Sequence, residues 1–151
     1  MTSIPPSTLG CSCFRLRRLT RAMSRLYDQH LAGVGLKTTQ YSVLVNAGRA
    51  ALPVAELAER LGMERTTLTR NLKPLIEAGW IELLPGADSR QRIVTLTQAG
   101  RAKLEQAWPA WRAAQDAFEQ QMGVETVTAL HAQLDATLAQ VTPMLEENNN
   151  D

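Results

Sequence analysis

The sequence predicts a mainly α fold with a small β-hairpin, an α+β chain, on three observations. Apolar stripes of helical period occupy both ends, two short helices flanking a single glycine sit in the middle, and two short strands follow them directly. At 151 residues the chain is about one domain long, enough to bury a core without disulfides or metals. Hydrophobic residues make up 44% and charged residues 21%, the profile of an ordinary globular protein. The first ten residues lack the basic and apolar regions of a signal peptide, and no apolar run approaches the ~20 residues that span a bilayer. The expectation is a cytoplasmic protein with no membrane partner.

Taken in order, residues 1–10 are small, polar and Pro-containing and read as a disordered arm. From Phe14 to Leu31, Leu16, Leu19, Met23, Leu26 and His30 mark one helix face, and Arg15, Arg18, Arg21 and Arg25 mark another; Gly33 and Gly35 break the pattern. Thr38 or Thr39 is expected to cap a short helix running to about Ala47. Pro53 suits the first turn of the next helix, Val54 to Leu61, which Gly62 ends. A further helix runs from about Glu64 to Ala78 and stops at Gly79; Pro74 inside it predicts a bend near Arg70. Trp80–Leu84 and Gln91–Leu96 read as two strands joined by a six-residue loop, 85–90. Beyond Gly100, one stripe runs through Leu104, Trp108, Trp111, Gln115, Phe118 and Met122, with a kink expected at Pro109. Another, past Gly123, runs through Val127, Leu130, Leu134, Leu138, Val141 and Leu145. The tail from Glu146 is polar and expected to fray.

The middle carries the chemistry. Leu57, Leu61, Leu68, Leu72 and Leu75 would form a core shared by two helices, with Ala58 small where they cross. The second of these helices opens with Arg65, Thr66, Thr67, Thr69 and Arg70, donors and acceptors able to reach base edges or phosphates in a major groove. Lys73 suits the phosphate backbone. In the hairpin loop Arg90 could enter a minor groove, Asp88 could hold the loop or orient that arginine, and Arg92 is a further phosphate candidate. Net charge is only +1, yet residues 1–112 hold all 16 Lys and Arg against 8 acids, and residues 113–151 hold 7 acids and no Lys or Arg. That segregation suggests one basic functional surface.

These elements in this order resemble the MarR family of winged helix-turn-helix regulators, from about Cys13 to Leu145. The residues that carry the resemblance are Leu57-Ala-Glu-Arg-Leu-Gly, Thr66-Thr-Leu-Thr-Arg, Leu75-Ile-Glu-Ala-Gly, and the Asp88-Ser-Arg wing followed by Leu96-Thr-Gln-Ala-Gly. The resemblance implies a homodimeric transcriptional regulator, a repressor of a pseudo-palindromic double-stranded operator. It implies dimerisation helices over 11–36 and 101–147, intertwined between the two copies, and a DNA-binding region over 37–100. Many members carry a basic residue at the start of the wing, where Leu83 and Leu84 stand here.

What releases the DNA has two readings. Cys11 and Cys13 open the first helix; with His30 and His131 remote in sequence they make no zinc site, and no cofactor is expected. The segments Cys13-Phe-Arg-Leu, Arg21-Ala-Met-Ser-Arg-Leu-Tyr27, Gly35-Leu and Gln40-Tyr41 are similar to the organic-hydroperoxide-sensing OhrR branch. In that branch the cysteine at the position of Cys13 is oxidised and tyrosines hydrogen-bond it. Tyr27 occupies one tyrosine position, whereas Arg17 and Thr38 occupy the other two. A thiol at a helix N-terminus near Arg15, Arg17 and Arg18 has its thiolate favoured, which reaction with peroxide requires, and Cys11 is a candidate resolving partner. The alternative leaves Cys13 as a small packing residue. A small aromatic or lipophilic anion would then bind between the dimerisation and DNA-binding regions near Tyr27, Tyr41 and Arg17, with Trp108 and Trp111 in the core or dimer interface.

Two rival classes remain. A thiol peroxidase built on Cys13 finds no His–acid partner, Gly-rich phosphate loop or metal cluster, so the expectation is no enzyme. A winged-helix module that binds protein would not need the basic residues at 65–73.

Overall fold

A computed structural model of the chain describes residues 10–147. The expected arm lies outside the described residues except for Gly10, as does the expected tail beyond Glu147. The chain divides into two units, residues 1–112 and 113–151.

In the first unit, α1 (Ser12–Leu31) leads through one 3-10 turn, Ala32–Val34, into α2 (Thr38–Arg49). The structure replaces the expected threonine cap: Lys37 is the N-cap residue, its N–H donates to Gln40 Oε1, and the Thr38 N–H donates to Asp28 Oδ1 at 2.7 Å. A carboxylate from α1 and the amide of Gln40 in the first turn of α2 satisfy the N–H groups that a threonine hydroxyl was expected to meet. A two-residue strand, β1 (Leu52–Pro53), precedes α3 (Val54–Leu61) and α4 (Arg65–Glu77). Gly62 takes φ 63° between them, so the Met63 N–H can return to Ala58 O and close α3.

The strands β2 (Ile81–Pro85) and β3 (Arg92–Leu96) pair antiparallel in register Ile81↔Leu96 to Pro85↔Arg92. β1 pairs with the other edge of β3, Leu52 opposite Val94, so the sheet has three strands in the order β1-β3-β2. The sequence reading missed β1, because two residues show no alternation to detect. α4 stays one helix across Pro74.

The core of this unit contains four of the five predicted leucines and extends to residues of α2 and the sheet that were not predicted. Leu57, Leu68, Leu72 and Leu75 are buried with Val43, Leu44, Ile81 and Val94, and Leu61 packs at its edge. Burial of such side chains contributes about 1.5–3 kcal/mol each, and it fixes α4 with its opposite face outward.

α5 (Gln98–Met122) starts in the first unit, continues through Pro109 and ends in the second. There Gly123 (φ 85°) separates it from α6 (Val124–Glu147). α6 leaves Leu134, Leu138, Val141, Met144 and Leu145 exposed in the single chain. No described helix is long and apolar enough to cross a membrane.

Candidate nucleic-acid interface

The buried leucines of α4 turn its other face to solvent: Arg65, Thr66, Thr69, Arg70 and Lys73 are all exposed, whereas Thr67 is half-buried. The Thr69 hydroxyl donates to Arg65 O at 2.9 Å, so its proton is committed within the helix. Next to α4 the hairpin is held by its own residues. Asp88 Oδ1 accepts from the Arg90 N–H, Asp88 O accepts from the Gln91 N–H, and Gly86 N–H donates to Gln91 O. Asp88 therefore braces the loop backbone, one of its two expected roles. Arg92 Nη1 donates to the carbonyls of Ser89 and Gln91, both at 3.2 Å, so this guanidinium also clamps the turn. Arg90 is left exposed at the tip.

Between α4 and the sheet lies a cleft of about 570 Å3 whose lining includes Arg65, Thr69, Lys73 and Arg92 above Leu72 and Leu83. Three cations over an apolar floor suit an anionic polymer strand better than a neutral ligand.

A clasp that sequence reasoning did not resolve positions the end of α4. The Thr97 hydroxyl donates to Gly79 O at 2.6 Å and accepts from the Gly100 N–H at 3.0 Å, while the Thr97 N–H donates to Trp80 O. Lys103 Nζ stands 5.0 Å from the centre of the Trp80 ring, within cation–π range. The Leu-Thr-x-x-Gly signature is thus a joint between the first turn of α5 and the exit of α4.

The effector candidates are only partly brought together. Tyr27 and Tyr41 both meet Trp111, with ring centroids 6.3 and 6.0 Å apart, and Trp108 stacks on Trp111 at 5.1 Å. Arg17 lies ten residues before Tyr27 on α1, about 15 Å along the helix axis, so the single chain does not join it to the tyrosines. Cys13 is about 21 Å from Tyr27 by the same rise. Both cysteines are free and exposed, and Cys11 Sγ caps α1 by accepting from the Phe14 N–H at 3.4 Å. Trp111 packs against the core, one of the two places expected for it, and Trp108 is 53% exposed in the single chain and, with Tyr41, Arg49 and Arg101, lines a groove between α2 and α5. Side-chain spacing along α5 could have placed Trp108; its exposure depends on what α2 leaves uncovered.

Burial raises the Tyr41 phenol above its ordinary value of 10.0. The sign follows from linkage: below about 10 the phenol is neutral in both folded and unfolded chains, and above it only the unfolded chain ionises readily. Stability is expected to fall as pH rises past about 10, and Tyr41→Phe is expected to flatten that alkaline limb in pH-dependent thermal unfolding. An unchanged limb would show that Tyr41 does not cause it.

A model of the MarR family matches residues 34–91, the span from the end of the 3-10 turn after α1 through the wing loop. An HTH-type transcriptional regulator of Bacillus cereus is 31% identical over 127 residues, covering 78% of this chain and 84% of its own length. The chain belongs to the MarR family. Among solved structures, the Mycobacterium tuberculosis transcriptional regulator MosR in complex with DNA is 36% identical, covers 87% of this chain and 98% of its own, and superposes with a TM-score of 0.75. A mutant MarR from Escherichia coli complexed with operator DNA is 26% identical, with 89% and 99% coverage and a TM-score of 0.78. The MarR fold accounts for the helical frame and the three-stranded antiparallel wing, and MarR-family proteins are transcriptional regulators, not enzymes.

Proposed function

We propose that this chain is a homodimeric repressor that binds a pseudo-palindromic operator, setting each α4 in successive major grooves about one helical turn apart with the Arg90 loop in the flanking minor groove. The observation that carries this is the outward face of α4 beside a self-braced basic wing. The DNA-bound MosR and MarR structures support it. Residues 37–100 act as the DNA-binding region, and residues 11–36 and 101–147 as the dimerisation helices. Apolar side chains exposed on α1 (Phe14, Leu16, Leu19) and on α6 are a cost that a second copy removes by covering them. The working compartment is the cytoplasm.

For release, this reading carries two alternative triggers. One is an aromatic or lipophilic anion in the groove where Trp108 presents an open ring to stack on, beside Arg49 and Arg101, whose charges outnumber that of Glu105 in the same lining. Oxidation is the second, as in the OhrR branch. The exposed Cys13 thiolate attacks a hydroperoxide oxygen and the O–O bond breaks, giving the sulfenic acid and the alcohol. A Cys11 thiol of the second copy then displaces water to form a disulfide.

Cumene hydroperoxide separates the two. Wild-type protein is expected to lose the operator on treatment, and Cys13→Ser to keep it. If both lose DNA equally, or neither does, the thiol trigger is wrong and the groove carries release alone.

A further inference from the structure

The exposed side chains of α4 fall into two rows that meet different surroundings. At about 100° per residue, Thr66 and Arg70 stand within about 30° of the direction opposite Leu68, Leu72 and Leu75. Arg65 lies more than about 90° round toward the sheet, and Lys73 about 45°. The cleft between α4 and the wing draws the same line: Arg65 and Lys73 are in its lining with Arg92, whereas Thr66 and Arg70 are not. Glu77 is the one carboxylate among those lining residues, so the cleft keeps a cationic balance.

Resting on the DNA-binding reading above, we infer that α4 divides its labour: Thr66 and Arg70 read bases, while Arg65 and Lys73 hold the phosphodiester strand that passes between α4 and the wing. The chemistry of each row fits its target. Phosphate oxygens only accept, and the guanidinium and ammonium groups in the cleft only donate. The Thr69 hydroxyl, also in the cleft, donates its hydrogen bond to Arg65 O and so adds no donor for that strand. On the outward row, Arg70 can meet the O6 and N7 of a guanine with two parallel bonds, and Thr66 beside it offers a hydroxyl and a methyl to the neighbouring pair. Arg92 contributes charge to the cleft while Nη1 stays clamped to the wing carbonyls.

The test uses a duplex enriched by the full-length wild-type protein from a random library, together with a shuffled duplex of the same composition. Affinity for both is measured across a salt series. Arg65→Gln and Lys73→Gln are each expected to lower the absolute salt slope by about 2 per dimer, one phosphate in each half-site, and to weaken both duplexes by the same factor. Arg70→Gln is expected to reduce the preference for the enriched duplex about tenfold or more. Arg65→Lys, which keeps the charge, is expected to restore the slope, and circular dichroism confirms that each variant is folded. A change of base preference in Arg65→Gln or Lys73→Gln overturns the division of labour. So does an equal loss on both duplexes for Arg70→Gln, and in either case the DNA-binding reading stands. If the wild type retains no duplex at low salt, that broader reading fails instead.

Discussion

Arg70→Ala is expected to weaken operator binding about a hundredfold or more while leaving the melting temperature within about 2 °C of the wild type. Arg70 is exposed on the outward row of α4 and is not part of the core cluster. Alanine is a strong helix former, so α4 itself should be unharmed, and surface changes of this kind stay within about 0.5 kcal/mol. A well-placed bidentate contact to a base discriminates by about 1–3 kcal/mol, and a dimer on a palindrome loses two of them. Arg90→Ala is expected to act in the same direction. The wing keeps its shape without that side chain, because Asp88 binds the backbone N–H of residue 90 rather than its guanidinium. Gel shifts on the operator, paired with thermal unfolding, decide the matter. Unchanged affinity in both variants would remove α4 and the wing from the DNA-binding role.

Gly100→Ala is expected to cost about 3 kcal/mol of stability, at the upper end of what overpacking does. A Cβ at position 100 would run into the carbonyl oxygen of Trp80 and the side chain of Leu96. The carbonyl cannot step aside cheaply, since it accepts the Thr97 N–H, and the whole turn is tied by Thr97 to Gly79 and Gly100. For a chain of this size such a loss lowers the melting temperature by about 6–12 °C. Thr97→Val is expected to destabilise by a smaller amount, about 1–3 kcal/mol, because it leaves the Gly79 carbonyl and the Gly100 N–H to find other partners. A wild-type melting temperature in Gly100→Ala would mean that α5 does not start hard against the exit of α4. Both variants act on the joint behind the exit of α4 and touch no residue of its outward face, so any loss of DNA affinity should track the fraction folded.

The elements were legible because each writes a local signal. Leucines at helical spacing bury one side of α3 and α4, Gly62 and Gly79 end those helices, and the β-branched residues Ile93, Val94 and Thr95 run together in β3. The core list followed from the same periodicity. Local spacing could not show the third strand, where Leu52 reaches Val94 across forty-two residues. The cap of α2 was misplaced for a similar reason, since Asp28 supplies its oxygen from α1. Arg92 reads from sequence as a phosphate candidate, and its grip on the wing carbonyls depends on a turn geometry no residue count reveals.

By itself, the sequence determined that this chain is a helical protein with a basic helix-turn-helix and wing, because binary patterning and charge placement act over a few residues. Only the tertiary structure decided which of the basic residues share a surface. Arg65 and Lys73 face Arg92 across a cleft, Arg70 faces away, and Tyr27 and Tyr41 gather on Trp111 without Arg17. Those assignments depend on how far each helix is rotated about its own axis against the core. Side-chain volume sets that rotation, through Leu68, Leu72 and Leu75 packing together with Ile81 and Val94.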